Sequence, residues 1–398
     1  MTSVDVVVVG GGTIGGWAAC FLAEAGLSVL LVERRTLGVG ASSRAAGMVR
    51  AQGGTEAAVR LGVWSQAFYR GQAERYGVDS GFVATGYSMP CFTPREVEAA
   101  HARIAMQQSL GLGAQWLAPD EVDRRNPVMA PGLTLGASYF AGDGYLDPPR
   151  NVLAYAVVLG EMGVGLWERT EFTGLTTTGG GSPRVTGVRT TRGTVPCSTV
   201  LLTGGPSLAA VGEAAGAARI WAGGTRHQVV VTEPHPDLAA ERVPMVFDVA
   251  SGIYWRPEDG GLLWGMSNPD EAPGEAATFD EAYFARMRAR MAELVPVTAG
   301  LGLRRSWAAT IDYTPDHLPI LGPMLRPDGS PVEGAWVASA GGHGMMWGPG
   351  VSRAAADLAL HGTSEVLDTA PLGMDRFDAA GRSRLAPDPI ALPFPEQA

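Results

Sequence analysis

The stretch VDVVVVGGGTIGGW, residues 4–17, decides the fold of this chain. Five of its first six residues are valine, as expected for a strand that is buried on both faces of a parallel sheet. The glycines that follow, Gly10, Gly12 and Gly15, have the spacing GxGxxG. Gly10 permits a tight turn, Gly12 lets a pyrophosphate approach the backbone, and Gly15 allows a helix to pack closely on the strand.

A helix and a second strand are predicted directly after the glycine turn. The pattern gives a helix over residues 13–25 and a buried strand over residues 28–32. The N–H groups at the helix start, around Thr13 and Ile14, and the positive end of the helix dipole suit a phosphate. Glu33, at the end of the second strand, can accept hydrogen bonds from both hydroxyls of an adenosine ribose. This order of elements predicts a dinucleotide-binding Rossmann unit and leaves NAD and FAD open.

The composition excludes several classes of partner. The net charge is −10 and no basic run is present, so a nucleic acid partner is not expected. No stretch of 18 or more apolar residues exists, so no membrane span is expected. Cys20, Cys91 and Cys197 are far apart and share no metal-ligand spacing with the histidines, which predicts neither a metal site nor a disulfide scaffold. The N-terminal apolar run leads into Gly10 and predicts a first strand rather than a signal peptide, so we expect a cytoplasmic protein.

Lysine is absent from the sequence. All 30 residues counted as Lys or Arg are arginines. Schiff-base chemistry on an enzyme lysine and a lysine general base are therefore excluded.

The rest of the chain alternates between two kinds of segment. Residues 215–270 contain short β-rich segments separated by turns, which are typical of an antiparallel sheet. Buried strands that end in small residues return at 197–205 and 335–340. The last 28 residues, rich in Pro and Gly, are expected to form an extended tail. Long helical patterns cover residues 55–76, 95–109, 278–294 and 349–361.

Rossmann-type pieces thus occur at the start, middle and end of the chain, which predicts an interleaved fold of the mixed α/β (α+β) class. We assign a Rossmann-type cofactor domain to residues 1–85, 141–215 and 297–398, and an antiparallel-sheet substrate domain to residues 86–140 and 216–296.

The loop GVGASSRAAGMVR, residues 38–50, places small and hydroxyl residues directly after the second strand. Such a loop can lie close to a flat cofactor, and Ser42 and Ser43 can donate hydrogen bonds. A loop of this composition also occurs without any ligand, so the segment alone does not decide the cofactor.

The chain resembles the D-amino acid oxidase family of flavoproteins, which contains glycine oxidase, monomeric sarcosine oxidase, and the sarcosine and dimethylglycine dehydrogenases. The resemblance runs nearly end to end and rests on the Rossmann unit with Glu33, the loop 38–50 and VLLTGGPS at 200–207. The blocks TPDHLPILGP at 314–323 and GGHGMMWGPG at 341–350 are more specific, because nicotinamide Rossmann enzymes do not carry them.

The resemblance implies FAD as the cofactor. It implies that the glycine block near the C-terminus lines the flavin ring and that the helix dipole from about Pro349 onward favours negative charge on the reduced flavin. Monomeric sarcosine oxidase ties its flavin to a cysteine before the TPD motif, where this chain has Ala309. The relatives that use a histidine do so in the early loop, where this chain has Ala41-Ser42-Ser43, so we expect non-covalent FAD. The expected cofactor-binding residues are Gly10, Gly12, Thr13, Ile14, Gly15, Glu33, Arg34, Ser42, Ser43, Arg44, Gly47, Met48, Val164, Thr203, Gly204, Gly205, Gly342, Gly344, Met345 and Met346.

For the substrate, the resemblance implies a carboxylate bound by arginine. Glycine oxidase uses an arginine at the position of Ile311, whereas sarcosine oxidase uses an arginine at the position of Arg50 and a lysine at that of Met346. Arg50 is therefore our candidate for a two-hydrogen-bond grip on a carboxylate, the alternative being a contact with flavin or a surface acid. Tyr254 is expected to face the substrate or to be a core aromatic residue, and His343 to act in catalysis or merely to pack in its glycine turn.

Three further residues are expected around the substrate. Arg256 shares a strand face with Tyr254 and is a substrate-binding candidate. Trp264 and Trp347 are expected to form an apolar wall.

The resemblance implies transfer of a hydride from the carbon beside a neutral amine nitrogen to flavin N5, and hydrolysis of the imine product in water. The substrate is thus a small amine or amino acid. The electron acceptor is O2 or another oxidant; sarcosine oxidase has a lysine where this chain has Leu263, which favours a dehydrogenase or a slow oxidase.

Three alternatives stay open. A 2-hydroxy acid oxidase would need a histidine base, for which His343, His227 and His317 are the candidates. The chain is also compatible with an oligomer, or with a flavin-carrying subunit that acts only inside a larger complex. The third alternative is a biosynthetic enzyme that acts on a carrier-bound or cyclic amine.

Overall fold

The computed structural model describes residues 3–238 and 243–390. The helices are α1 (Thr13–Glu24), α2 (Glu56–Tyr76), α3 (Pro94–Ser109), α4 (Pro119–Arg125), α5 (Pro148–Glu161), α6 (Leu208–Ala215), α7 (Glu281–Leu294) and α8 (Gly344–His361). The strands are β1 (Val6–Val9), β2 (Val29–Val32), β3 (Met48–Val49), β4 (Val83–Ala84), β5 (Tyr87–Cys91), β6 (Gln115–Leu117), β7 (Gly136–Phe140), β8 (Gly144–Tyr145), β9 (Gly165–Trp167), β10 (Phe172–Thr177), β11 (Val185–Thr190), β12 (Gly193–Pro196), β13 (Thr199–Leu202), β14 (Gly223–Thr232), β15 (Met245–Phe247), β16 (Tyr254–Glu258), β17 (Gly261–Ser267), β18 (Leu303–Tyr313), β19 (Ile320–Leu325) and β20 (Pro331–Ser339).

The first sheet contains the predicted βαβ unit. Its strand order is β19-β20-β13-β1-β2-β9, and β1 pairs in parallel with both β2 and β13. All four residues of β1 are buried, as the valine run predicts. Helices α1, α5 and α8 pack together on one face of this sheet, around the fully buried Trp17. The pieces from the start, middle and end of the chain therefore share one core.

The second sheet has eight strands in the order β18-β14-β17-β16-β15-β5-β7-β6. Its pairings are antiparallel except for the parallel pair of β15 and β5. The sequence boundary placed residues from 297 onward in the cofactor domain, but β18 lies in this second sheet because it pairs with β14 along almost its whole length. The division into two domains stays a prediction.

Helix α8 begins five residues earlier than predicted, at Gly344 instead of 349. The prediction started the helix at Pro349 because proline is favoured in a first turn and costly in a helix interior. Proline at this position leaves the carbonyl of Met345, four residues earlier, without its helical N–H partner. The hydroxyl of Tyr69 donates to that carbonyl at 2.9 Å, so the proline is tolerated inside the helix.

The predicted extended tail is wrong for residues 371–390, which pack against the body of the molecule. The guanidinium of Arg376 donates to Asp316 at 2.7 Å, and both side chains are almost fully buried. Leu372 and Ile390 are buried as well. A Pro/Gly-rich composition did not reveal this packing because the partners lie in distant parts of the sequence. The predicted tail's last eight residues, 391–398, lie outside the described residues.

The described ranges contain neither a membrane-spanning helix nor a metal-binding cluster. No helix there combines the length and the apolarity needed to cross a membrane. Nor does that part of the chain contain a group of three or more His, Cys, Asp or Glu side chains able to hold a metal ion.

Candidate active site

An elongated cavity starts at the carboxyl ends of β1 and β2 and reaches the second sheet. Its lining includes the glycine turn and Glu33 at one end, the start of α8 in between, and Arg50, His227 and Tyr254 at the other end. We call the end with Glu33 the nucleotide end and the end with Arg50 the ring end. The two ends draw on both sheets, so the cavity exists only because the interleaved segments are assembled.

The nucleotide end contains the start of helix α1, where Ser42 accepts the N–H of Thr13 and the N-cap residue itself supplies no acceptor. Helix α1 has Gly12 as N-cap and no acidic residue in its first turn. Gly10 has φ +108°, and a Cβ there would lie 2.7 Å from the carbonyl oxygen of Thr203. A Cβ on Gly15 would lie 1.9 Å from the carbonyl oxygen of Gly10, so Gly15 allows the close packing of helix and strand that the spacing predicts. The turn therefore fits a pyrophosphate.

Glu33 lies at the carboxyl end of β2, next to this turn. One carboxylate oxygen accepts the N–H of Gly11 at 2.8 Å and the other accepts the N–H of Arg35 at 2.7 Å. These bonds fix the carboxylate at the rim of the cavity, where the predicted ribose contact requires it.

A second helix start faces the same cavity. Helix α8 begins after His343, with no side-chain cap and no acid in its first turn. The cavity between the two helix starts is lined by glycines and by Met345 and Met346. Two positive helix ends and one rim carboxylate suit a group with a central diphosphate, a ribose and an electron-accepting ring, so these residues fit FAD.

Most of the residues predicted to bind the cofactor line the cavity. They are Gly10, Gly12, Thr13, Ile14, Glu33, Arg34, Ser42, Arg44, Gly47, Met48, Thr203, Gly204, Gly205, Gly342, Gly344, Met345 and Met346. Their assignment to FAD stays a prediction.

Three of the predicted cofactor residues do not line the cavity: Gly15, which instead packs against Gly10 and Thr203, Val164 and Ser43. Val164 precedes β9, whose first residue, Gly165, pairs with Leu30, so it lies at the end of the sheet opposite to Glu33. Ser43 lies within a short 3-10 turn and does not line the cavity, whereas the neighbouring Ser42 accepts the N–H of Thr13 at 2.9 Å. Strand direction and turn geometry decide these placements.

Arg50 lies at the ring end and is buried, with 2% of its surface exposed. One terminal nitrogen donates to the carbonyl of Ile390 at 2.7 Å, the other lies 3.4 Å from the sulfur of Met89, and Nε has no hydrogen-bond partner among the described residues. No described carboxylate forms a salt bridge with it. The ring of Phe247 lies 5.4 Å from the guanidinium carbon. The sequence therefore identified a buried cation that lines the cavity.

Tyr254 lies at the ring end in a chain of three polar groups. Its hydroxyl makes a short hydrogen bond with Nε2 of His227, and Nδ1 of His227 lies 2.8 Å from the hydroxyl of Ser267. Burial lowers the pKa of His227 to about 4 and raises the pKa of Tyr254 far above its usual value. Both side chains are therefore neutral at physiological pH.

The pairing of His227 with Tyr254 was missed by sequence reasoning, which considered His227 only as a base for hydroxy acids. The two residues lie on β14 and β16, and β17 runs between these strands. Tyr254 crosses β17 at Gly265, where a Cβ would lie 2.7 Å from the tyrosine hydroxyl. Only the strand order and register reveal this contact.

His343 lines the ring end and stacks on Trp347, with their ring centroids 4.0 Å apart. Burial, together with the nearby charge of Arg50, lowers the pKa of His343 to about 3. Its Nδ1 lies 3.2 Å from the carbonyl oxygen of Gly341. His343 is therefore a neutral group held between the glycine turn and α8.

The other substrate candidates do not reach the cavity. Arg256 donates to the carbonyl of Ala46 at 2.6 Å and forms a salt bridge with Glu258 at 2.5 Å, so protein groups already bind its guanidinium. Trp347 lies in the core beneath His343, and Trp264 packs in a separate apolar cluster of the second sheet. The expected tryptophan wall is therefore wrong, because both side chains point into cores; the walls come instead from Tyr87 and Phe247 and their neighbours.

Comparison with known proteins gives three findings. The sequence profile of the family described as FAD dependent oxidoreductase matches residues 5–358. Glycine oxidase of Geobacillus kaustophilus is 30% identical over 388 residues, which cover 94% of this chain and 97% of that protein. 4-Methylaminobutanoate oxidase (formaldehyde-forming) of Paenarthrobacter nicotinovorans is 28% identical over 396 residues, or 96% of this chain but 47% of that protein. The chain thus spans about half the length of this last relative.

A solved structure is similar over the same extent. The L-proline dehydrogenase of P. horikoshii superposes with a TM-score of 0.86 at 26% identity, covering 94% of this chain and 97% of that one.

Proposed function

Because this chain belongs to the family of FAD-dependent oxidoreductases, we propose that it oxidises the C–N bond of a small amino acid or amine, with secondary, N-methyl and cyclic amines favoured. The relatives named for glycine, a methylamino acid and L-proline support this substrate class. The observation that carries the proposal is Arg50, a buried guanidinium that faces the ring end without a protein carboxylate. A buried charge without a partner is costly, so an anionic group of the ligand is its natural partner.

The substrate carboxylate is proposed to bind Arg50. A guanidinium has five N–H groups in a planar fork, which suits the two oxygens of a carboxylate. In the structure, one N–H donates to Ile390 and one faces the sulfur of Met89, which leaves the second N–H of each terminal nitrogen for a ligand. The carboxylate thereby fixes one end of the substrate, and the carbon next to the nitrogen is oriented by the rest of the ring end.

The amine nitrogen is proposed to lie near Tyr254. When the hydroxyl of Tyr254 donates to His227, its oxygen can still accept an N–H from the substrate. His227, His343 and Tyr254 are buried and neutral, so none of these three groups carries a negative charge that could stabilise an ammonium there. Desolvation therefore favours the neutral amine, whose lone pair the oxidation requires.

FAD, when bound, would be the electron acceptor, and we propose that its flavin N5 would accept the hydride. The chain's own residues bind and orient the substrate and exclude water, and no protein base is needed. The imine product then hydrolyses in water. The final electron acceptor is O2 or another oxidant. Leu263, at the position of the sarcosine oxidase lysine, lies in an apolar cluster with Tyr254. The absence of a lysine side chain at this position favours a dehydrogenase or a slow oxidase.

The decisive experiment is anaerobic bleaching of the bound flavin by panels of compounds. The panels are sarcosine, 4-methylaminobutanoate, L-proline and glycine, and, against them, glycolate and lactate. Bleaching by one or more of the amino acids supports the proposal. Bleaching only by hydroxy acids, or by none of the panels in a protein that dithionite reduces, contradicts it.

A further inference from the structure

The segment Ala386–Ile390, which we call the C-terminal strap, lies against the cavity's ring end. Ile390 is fully buried and packs in one apolar cluster with Tyr87, Phe247 and Tyr254. Three of these four residues line the cavity or its wall, and the fourth, Ile390, lies directly behind them. The strap therefore packs behind the wall of the ring end, although it comes from the far end of the described chain.

The strap is fixed by a series of hydrogen bonds that leads back to the TPD block. The N–H of Asp388 donates to the carbonyl of Asp316 at 3.1 Å, and Asp316 is itself held by Arg376. A carboxylate oxygen of Asp388 accepts the N–H of Ile390 at 3.0 Å, which closes a tight turn. This turn aims the carbonyl of Ile390 at Arg50, whose terminal nitrogen donates to it at 2.7 Å.

The strap also presses on the loop that follows Arg50. A Cβ on Gly54 would lie 2.0 Å from a carboxylate oxygen of Asp388 and 2.7 Å from the ring of Pro389. The strap can approach the loop this closely only because position 54 is glycine. Asp388 is buried, and burial raises the pKa of its carboxyl group above the usual value, although the nearby charge of Arg50 acts in the opposite direction.

We propose that the strap is part of the substrate-binding machinery and that Asp388 and Ile390 are positioning residues for Arg50. The carbonyl of Ile390 holds one side of the guanidinium, so that the remaining N–H groups face the cavity at a fixed angle and meet the substrate carboxylate. Asp388 accepts the N–H of Ile390 and so fixes the turn that places the carbonyl of Ile390. This inference rests on the proposed role of Arg50 as the carboxylate anchor.

Gly54→Ala tests the inference, because it displaces the strap without altering Arg50. The probes are two matched pairs, sarcosine with dimethylamine and L-proline with pyrrolidine, in which the second compound lacks only the carboxyl group. For the amino acid that is oxidised, we expect KM to rise about tenfold with kcat within about twofold, whereas the KM of the carboxyl-free partner stays within about twofold. Gly71→Ala is the matched control, because a Cβ there meets nothing within 4 Å.

Two substitutions of Asp388 separate positioning from general damage. Asp388→Ala removes the acceptor of the Ile390 N–H and should raise KM as Gly54→Ala does. Asp388→Asn keeps an oxygen acceptor and should bring KM back to within about threefold of wild type. Flavin absorbance per chain and the melting temperature report whether each variant is folded and loaded.

The outcomes discriminate between the two proposals. If Gly54→Ala and Asp388→Ala match Gly71→Ala in KM, or if KM falls because the strap only blocks the cavity, the strap inference is overturned and the proposed function stands. If Arg50→Ala leaves the preference for the amino acid over its carboxyl-free partner unchanged, Arg50 is not the carboxylate anchor. In that case both the strap inference and the proposed substrate binding are wrong.

Discussion

Arg50 is the single side chain on which the substrate assignment depends most. Its guanidinium is buried and lines the ring end, and the carbonyl of Ile390 holds it from one side. The loop that carries it is fixed by Asp143, which accepts the N–H of Ala51 at 2.6 Å. Such a preorganised cation binds a carboxylate without first losing much side-chain entropy.

Replacing Arg50 with alanine should lower kcat/KM for an amino acid substrate by roughly 10²–10⁴-fold, since breaking a buried charge pair costs about 3–5 kcal/mol. The matching amine without a carboxyl group should be affected far less, and it serves as the control substrate. Steady-state kinetics of the two compounds measure the difference. A change below about fivefold for the amino acid would remove Arg50 from the binding site.

The protonation states at the ring end predict the pH dependence. His227 and His343 have pKa values of about 4 and 3, and the pKa of Tyr254 lies far above its usual value, so none of the three titrates between pH 7 and 9. Burial raises the pKa of Asp143, close to Arg50, to about 6, which is also below this range. We therefore predict that an ascending limb of the kcat/KM–pH profile above pH 7 reports the substrate amine. Asp312 and Asp388, whose pKa values burial also raises, are the protein groups from which the test must distinguish it.

We accordingly expect kcat/KM to rise with pH above 7, because the neutral fraction of the amine increases until its own pKa is reached. Two substrates whose amine pKa values differ by about one unit should shift the limb by the same amount. The variant His343→Asn should keep the limb. A limb that stays at one pH for both substrates would assign it to a protein group.

Strand register, at the level of elements, creates the pair of His227 and Tyr254. Strands β14 and β16 flank β17, and the absence of a side chain at Gly265 lets the tyrosine cross it. His227 is held on its other side by Ser267, which lies directly opposite on β17. The three groups thus act as one unit whose geometry the sheet determines.

A double-mutant cycle should show this coupling. Tyr254→Phe and His227→Leu are each expected to lower kcat/KM by about tenfold, because each removes the same short hydrogen bond. The double variant should therefore lose little more than the worse single variant. Losses that multiply would mean that the two residues act independently.

At the level of the whole molecule, the interleaved chain places most of the candidate cofactor contacts around one cavity and keeps the three cysteines away from it. Cys20, Cys91 and Cys197 are buried, and none of them lines the cavity. The buried side chain of Ala309 offers only a methyl group at the position where the resemblance would place a covalent attachment.

Denaturation in acid should therefore release all of the yellow colour into the supernatant. The absorption spectra of the supernatant and of the redissolved pellet measure the partition, and the supernatant should contain FAD in a one-to-one ratio to the chain. Flavin that stays with the pellet would instead indicate a covalent bond, for which His227 and His343 would be the cavity residues to examine first.

The sequence by itself determined the Rossmann unit and the FAD-dependent family. The glycines and Glu33 have roles set by local backbone geometry and by spacing along one βαβ unit, so their pattern is readable without the fold. Arg50 was identified through a resemblance and proved to line the cavity.

Only the tertiary structure decided which side chains share the ring end. Arg256 is excluded from the substrate site because it forms a salt bridge with Glu258, and Trp347 is excluded because its side chain packs in the core beside α8. No local sequence pattern indicates either contact. His227 joins Tyr254 through the register of three strands, and Ile390 reaches Arg50 across 340 residues. Contacts between segments so far apart depend on how the sheets pack and where the chain returns, whereas spacing along the sequence specifies only what lies within one local unit.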